Sequence, residues 1–244
     1  MNLDFSIALK YFPVLAHAGI YTVVLTVTSM AIGTVAGLFL ALGRLSRHGW
    51  LSRIVWIYVW IVRGTPMLLH LFFIYYAAPL FGLTLDAIPA AIIAMSLSAS
   101  AYTSEIIRAG LQAVHHGQAE AARAIGMTYP EIIRRVVLPQ AIRIMIPPYM
   151  SNFISHTKNS SLASVITVPE VMLTAQMIYS STYRAIEILT AAGCIYLFLT
   201  SCLTGLQLWL ERITAYEARG LSPRRRRRLG LGPVAPAGTV VPAE

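Results

Sequence analysis

Residues 120–139 read EAARAIGMTYPEIIRRVVLP, a charged and sharply punctuated stretch in a 244-residue chain that is 57% hydrophobic. Only 12% of the chain is charged, against roughly 25% in an ordinary soluble domain. On its own physics the stretch is two short helices joined by a turn. Residues 118–125 are rich in Ala, Glu and Arg, and Gly126 stands where a left-handed cap ends a helix. Thr128 with Glu131 three positions on fits a capping box, and Pro130 falls in a first turn that asks no donor of it. The second helix gathers Ile132, Ile133, Val136 and Val137 on one face and turns Arg134 and Arg135 elsewhere, and Leu138-Pro139 is expected to end it.

On both sides of this island the chain is apolar on the scale of a bilayer. Residues 18–43 carry no charge over 26 positions, enough for a tilted span, and Gly33 with Gly37 offers a small-xxx-small pair for close helix approach. Residues 54–85 would make a helix of about 48 Å, longer than a roughly 30 Å hydrocarbon core. They are expected to break at Arg63-Gly64-Thr65-Pro66, with Trp50, Trp56, Tyr58 and Trp60 before the break suited to the membrane interface. The reading is an all-α integral membrane protein of about five transmembrane helices, at 18–43, 65–82, 87–110, 144–169 and 188–210, inside a membrane domain covering 18–213.

The positions of the positive charges set the orientation. Arg44, Arg47 and Arg53 follow the first span, Arg108, Arg123, Arg134, Arg135 and Arg143 the third, and Arg212, Arg219 and the five arginines of 224–228 the last. By the positive-inside rule those three connections, including the polar loop 117–140, are cytoplasmic. Residues 1–17 are then an extracytoplasmic N-terminal segment without the marks of a cleaved leader, residues 170–187 lie outside, and the C-terminus is inside. Residues 214–244 are expected to be a disordered Arg-rich tail that rests on anionic lipid; nucleic acid is not a favoured partner.

Polar groups inside spans are costly unless they face a wet cavity or the bundle interior. Two stripes stand out: Asn152, Ser155, His156 and Asn159 on span four, and Ser98, Tyr102 and Glu105 on span three. They are candidates for a route taken by a zwitterion, or for plain interhelical hydrogen bonding. Lys158, deep in span four, needs a partner, water or snorkelling, and Glu105 has a partner at hand in Arg108. Cys194 and Cys202, eight residues apart on one helix, cannot pair and read as small buried apolar residues. His115 and His116 lack further ligands and read as loop histidines, so no metal is expected.

Here the residues carry a resemblance. Glu120-Ala121-Ala122, Gly126 and Leu138-Pro139 stand at the spacing of the cytoplasmic-loop signature of ABC importer membrane subunits, with Val136 in place of the usual isoleucine. Arg63-Gly64-Thr65-Pro66, residues 102–108, residues 139–143 and residues 158–162 further resemble the polar amino-acid permeases of the histidine/glutamine type, over roughly residues 15 to 215. The resemblance implies a type I importer permease fold in the cytoplasmic (inner) membrane. It implies a coupling helix at 120–126 docked on a cytoplasmic ABC ATPase dimer, a second permease copy or paralogue, an extracytoplasmic solute-binding protein, and an amino-acid substrate. The chain itself has no G-x-x-x-x-G-K-[ST] loop, so ATP and Mg are expected to be used by the partner and no cofactor bound here. The competing class is an ion-coupled secondary carrier or channel, which broken helices and intramembrane polar groups also suit.

Overall fold

The computed structural model describes residues 4–216, so the Arg-rich tail beyond them lies outside the described residues. Nine α-helices are described, α1 (Ser6–Arg44), α2 (Gly49–Gly64), α3 (Met67–Phe72), α4 (Ala87–Gln112), α5 (His116–Ala124), α6 (Tyr129–Glu131), α7 (Leu138–Asn159), α8 (Val171–Thr182) and α9 (Ala185–Tyr216), with no strand among the described residues. α1, α4 and α9 are each long and apolar enough to cross a membrane. Two bent pairs, α2 with α3 and α7 with α8, bring the total to five if each is one span.

The elbow between α2 and α3 turns through 104°. Pro66 supplies no N–H and forces Thr65 into extended backbone, so the helix cannot pass. α3 then continues as a π-helical segment (Phe73–Ala77) and a 3-10 turn (Ala78–Phe81), filling the span expected at 65–82.

α1 packs along α4 in the most extensive helix pairing of the described residues. Glycine makes the closeness possible: a Cβ at Gly33 would overlap that of Ala99 and lie 3.0 Å from the Ser100 nitrogen, and one at Gly37 would lie 2.9 Å from the Ser100 carbonyl oxygen. Since Gly33 meets Ala99 and Gly37 meets Thr103 and Ser104, the two helices run parallel. α9 is parallel to them as well, with Asp4 against Glu187 and Gly19 against Ile195. α7 runs the other way, tying Tyr149 to Thr34 (2.7 Å) and His156 to Ser29 (2.9 Å). Arg44, Arg108, α5 and the start of α7 thus share one end of the bundle, called here the loop end.

Several expectations are corrected. Residues 6–17 are not a separate segment but the first turns of α1, held helical by Leu15 and Ala18, which are buried against α8 and α9. Leu138-Pro139 ends nothing: α6 passes through a π-helical segment (Ile132–Val137) directly into α7. The displaced hydrogen-bond ladder of that segment leaves Pro139 in a first turn, where its missing donor is harmless. The fourth span consequently begins before 144, carries Pro147 and Pro148 inside it, and gives way at Ser160 to a 3-10 turn (Ser160–Ile166). Most of residues 170–187 form α8. Cys194 and Cys202 are exposed, because they lie on faces of α9 turned away from the bundle.

Glu170 is the acid that caps α8. It is completely buried, and its carboxylate accepts from the N–H groups of Met172 and Leu173 (2.8 Å each) and from the Tyr196 hydroxyl (2.6 Å). One side chain therefore closes the bend before α8 and fastens it to α9. Glu170→Ala strands three donors and is expected to cost about 2–4 kcal/mol, seen as a lower melting temperature of the purified protein, with Glu170→Gln intermediate. An unchanged melt for Glu170→Ala would show that the cap is not holding the bend.

Candidate coupling loop and polar helix face

The island at 120–139 folds as a helix, a glycine turn and a second helix. His115 caps α5 by accepting the Gly117 N–H at its Nδ1 (3.1 Å). At the other end Gly126 has φ +82°, and the N–H groups of Gly126 and Met127 bond back to Arg123 and Ala122 carbonyls (2.9 and 3.1 Å). That is the left-handed stop for which the glycine was chosen. Thr128 then starts the second helix, giving both its N–H (3.0 Å) and its hydroxyl (2.8 Å) to the Glu131 carboxylate.

α5 lies on the π-helical segment and covers its apolar face. Ile132 is buried and Ile133, Val136 and Val137 are half-buried, while Arg134 and Arg135 point outward. On α5 only Ala122 is buried; Glu120 and Ala121 are exposed, as are Ile125 at 79% and Tyr129 at 66%. Leu138 is exposed and Pro139 half-buried. The loop therefore keeps one small inner face for its own bundle and shows Glu120, Ala121, Arg123, Ala124, Ile125 and Tyr129 outward. A compact, capped helix with that outer face is suited to sit in a groove on another protein.

The span-four stripe is divided between two surroundings. His156 is buried on Ser29 of α1, whereas Ser155, Lys158 and Asn159 are exposed and Asn152 is half-buried with an unpaired Nδ2. On α4, Ser98 is buried, but Tyr102 and Glu105 open into a cleft of ≈ 440 Å³ that α1 and α2 complete and that no residue of α7 lines. Glu105 pairs with Arg108 at 2.7 Å, as its spacing suggested, and stands 3.8 Å from the Nε of Arg44. α4 and α7 are in contact elsewhere, Gly110 lying against Met145, but the two stripes do not line one common cleft among the described residues.

A family model described as the binding-protein-dependent transport system inner membrane component matches residues 33–226. The chain belongs to this family. It is 42% identical to the L-cystine transport system permease protein TcyB of Bacillus subtilis over 83% of this chain and 87% of that one. It is 39% identical to the nopaline transport system permease protein NocM of Agrobacterium fabrum over 93% and 96%. Among solved structures, an amino acid ABC transporter with histidines superposes with a TM-score of 0.82 at 38% identity, covering 87% of this chain and 99% of that one.

The permease is an integral membrane transport subunit and not itself an enzyme, and membership of a binding-protein-dependent system implies an ATPase and a solute-binding protein as partners. Sequence reasoning placed the Gly126 stop, the Thr128–Glu131 box and the Glu105–Arg108 pair, but read the α5 cap His115 as a plain loop histidine. It missed the outward Ile125 and Tyr129, the burial of Glu170, and the convergence of Arg44 and Arg63 on the Glu105 cleft. The last two depend on partners far away in sequence.

Proposed function

We propose that this permease carries a polar amino acid across the cytoplasmic membrane, paired with a second copy or a paralogue, while an ATPase dimer that uses ATP and Mg docks at α5. The observation that carries the reading is the outward polar face of α7. Ser155, Lys158 and Asn159 stand exposed on a helix of a membrane bundle, where such groups are kept only for a wet route or a polar partner. Lys158 and the neighbouring amides and hydroxyls offer a zwitterion both a cation and neutral hydrogen-bonding groups. The relatives named for cystine and nopaline transport support a polar, amino-acid-like cargo. Family membership disfavours the ion-coupled carrier.

The test is uptake by proteoliposomes holding the permease with its ATPase and binding protein. ATP is expected to drive accumulation of the amino acid retained by the purified binding protein. Asn159→Leu is expected to lower that uptake roughly tenfold, a barrier rise of about 1.4 kcal/mol, with the assembly intact by size exclusion. Uptake that persists without ATP and follows a proton or sodium gradient would overturn the reading.

A further inference from the structure

At the loop end, the cleft beside Tyr102 and Glu105 is lined by three arginines, one from each of three helices: Arg44 closes α1, Arg63 stands at the end of α2 and Arg108 lies on α4. Among the described residues that line the cleft, Glu105 is the one carboxylate, so positive charge is in excess there. Arg108 is committed, donating to both Glu105 oxygens (Nε 3.1 Å to each, Nη2 2.7 Å to one) and to the Gln112 side chain (2.6 Å). Arg44 is less well served. Its Nη1 makes two long bonds to Ser52 at 3.4 Å, and its Nε is buried without a hydrogen bond, although 3.8 Å from Glu105. The Arg63 guanidinium lies over the Tyr102 ring at 5.2 Å, an arrangement that fixes its plane and leaves its N–H fork free of the ring.

Two half-satisfied guanidiniums beside a cleft of this size ask for a divalent or monovalent oxyanion. The surroundings say in what form it comes. The rim of the cleft is the stacked pair Trp56 and Trp60, centroids 6.1 Å apart, both exposed. Apart from Arg53, the rest of the outward side of α2 is apolar, with Trp50, Ile54, Ile57 and Ile61 exposed. An anion reaching this cleft therefore passes a surface suited to acyl chains and the tryptophan level of a membrane. We infer that the cleft between α1, α2 and α4 binds the phosphate of an anionic phospholipid in the leaflet at the loop end, held by Arg44 and Arg63 and flanked by Trp56 and Trp60. A lipid seated there would pin the elbow helix α2 to the ends of α1 and α4. This inference rests on the membrane-spanning fold and not on which amino acid is carried.

The experiment uses the purified importer in detergent, exchanged into equimolar phosphatidylglycerol and phosphatidylcholine, with retained lipid counted by native mass spectrometry. Phosphatidylglycerol is expected to be retained roughly tenfold over phosphatidylcholine. The R44Q/R63Q variant is expected to lose that preference and R44K/R63K to keep most of it. Arg53→Gln, on α2 but outside the cleft, is expected to keep all of it. Equal retention of the two lipids, or an undiminished preference in R44Q/R63Q, would overturn the site. Millimolar inorganic phosphate competing as well as the lipid itself would overturn the lipid assignment in favour of a soluble anion. Should R44Q/R63Q not fold, quenching of wild-type tryptophan fluorescence by brominated phosphatidylglycerol decides: stronger quenching than by brominated phosphatidylcholine supports the site, and equal quenching refutes it.

Discussion

Gly33→Leu is expected to leave little folded permease in the membrane. The position has no slack: even a lone Cβ there would overlap Ala99, and the atoms beside it, the Ser100 nitrogen at 3.0 Å and the Ala99 carbonyl carbon at 3.1 Å, belong to the backbone of α4 and cannot rotate away. α1 would have to leave α4 along a seam where Leu25 of α1 shares one buried cluster with Ala90, Ala91, Ala94 and Met95 of α4. Lipid tails are as apolar as leucine, so the pair is held by close packing rather than by exclusion from water, and packing is what the substitution removes. Overpacking of this kind costs about 3 kcal/mol or more, a large part of the roughly 5–15 kcal/mol that folded proteins hold in reserve. The measurement is the yield of monodisperse protein by fluorescence-detected size exclusion, with Gly49→Leu alongside. A Cβ at Gly49 meets nothing within 4 Å, so this variant is expected to express as the parent does. Equal yields for the two variants would mean that the glycine seam is not what holds α1.

Charge reversal at Glu120 is expected to uncouple transport without harming the fold. Glu120 is exposed on α5 and the bundle uses only Ala122 of that helix as a buried contact. Glu120→Lys therefore leaves the permease as stable as before and places a wrong charge at the surface where the ATPase is proposed to dock. Like-charge or unpaired contacts across an interface cost about 2–5 kcal/mol, or roughly 30-fold and upward in affinity. ATP-driven uptake and co-purification of the ATPase should fall together. Ile125→Asp, which removes the most exposed apolar side chain of the loop, should act in the same direction. Uptake within about twofold of the parent for both variants would remove α5 from the coupling surface.

How much of this could be read beforehand depended on the range of the interaction. Local chemistry was legible. Gly126 ends α5 in left-handed backbone, Thr128 and Glu131 form their box, Thr65-Pro66 breaks the elbow and Gly33 with Gly37 marks the α1–α4 seam. Each is written within a few residues. Glu170 was not legible, because a carboxylate between two apolar runs looks like a loop acid until Tyr196, 26 positions on, is seen donating to it. Leu138-Pro139 misled for a local reason that propensity does not encode: a π-helical segment before the proline lets the helix run through. Helical phase put Asn152, Ser155, His156 and Asn159 on one stripe of α7, but phase alone could not say that α1 covers His156 and leaves Ser155 and Lys158 open.

That uninterrupted passage from loop to span has a mechanical consequence. From Tyr129 to Asn159 the backbone is helical without a break, a rod of about 46 Å at 1.5 Å per residue. One end of it lies under α5 and the other carries Lys158 and Asn159. With α5 as the docking site proposed above, a push there would reach the tip of α7 along this helix, past the π-helical segment and the Pro147-Pro148 pair, the two places where it bends most easily. The π-helical segment sets the angular phase between the two ends, since each residue added or removed there turns everything beyond it by about 100°. The spacing between the acid of α5 and the proline of α7 is then an angle as much as a distance, one that sets where the polar face of α7 points relative to the loop that the proposal gives to the ATPase.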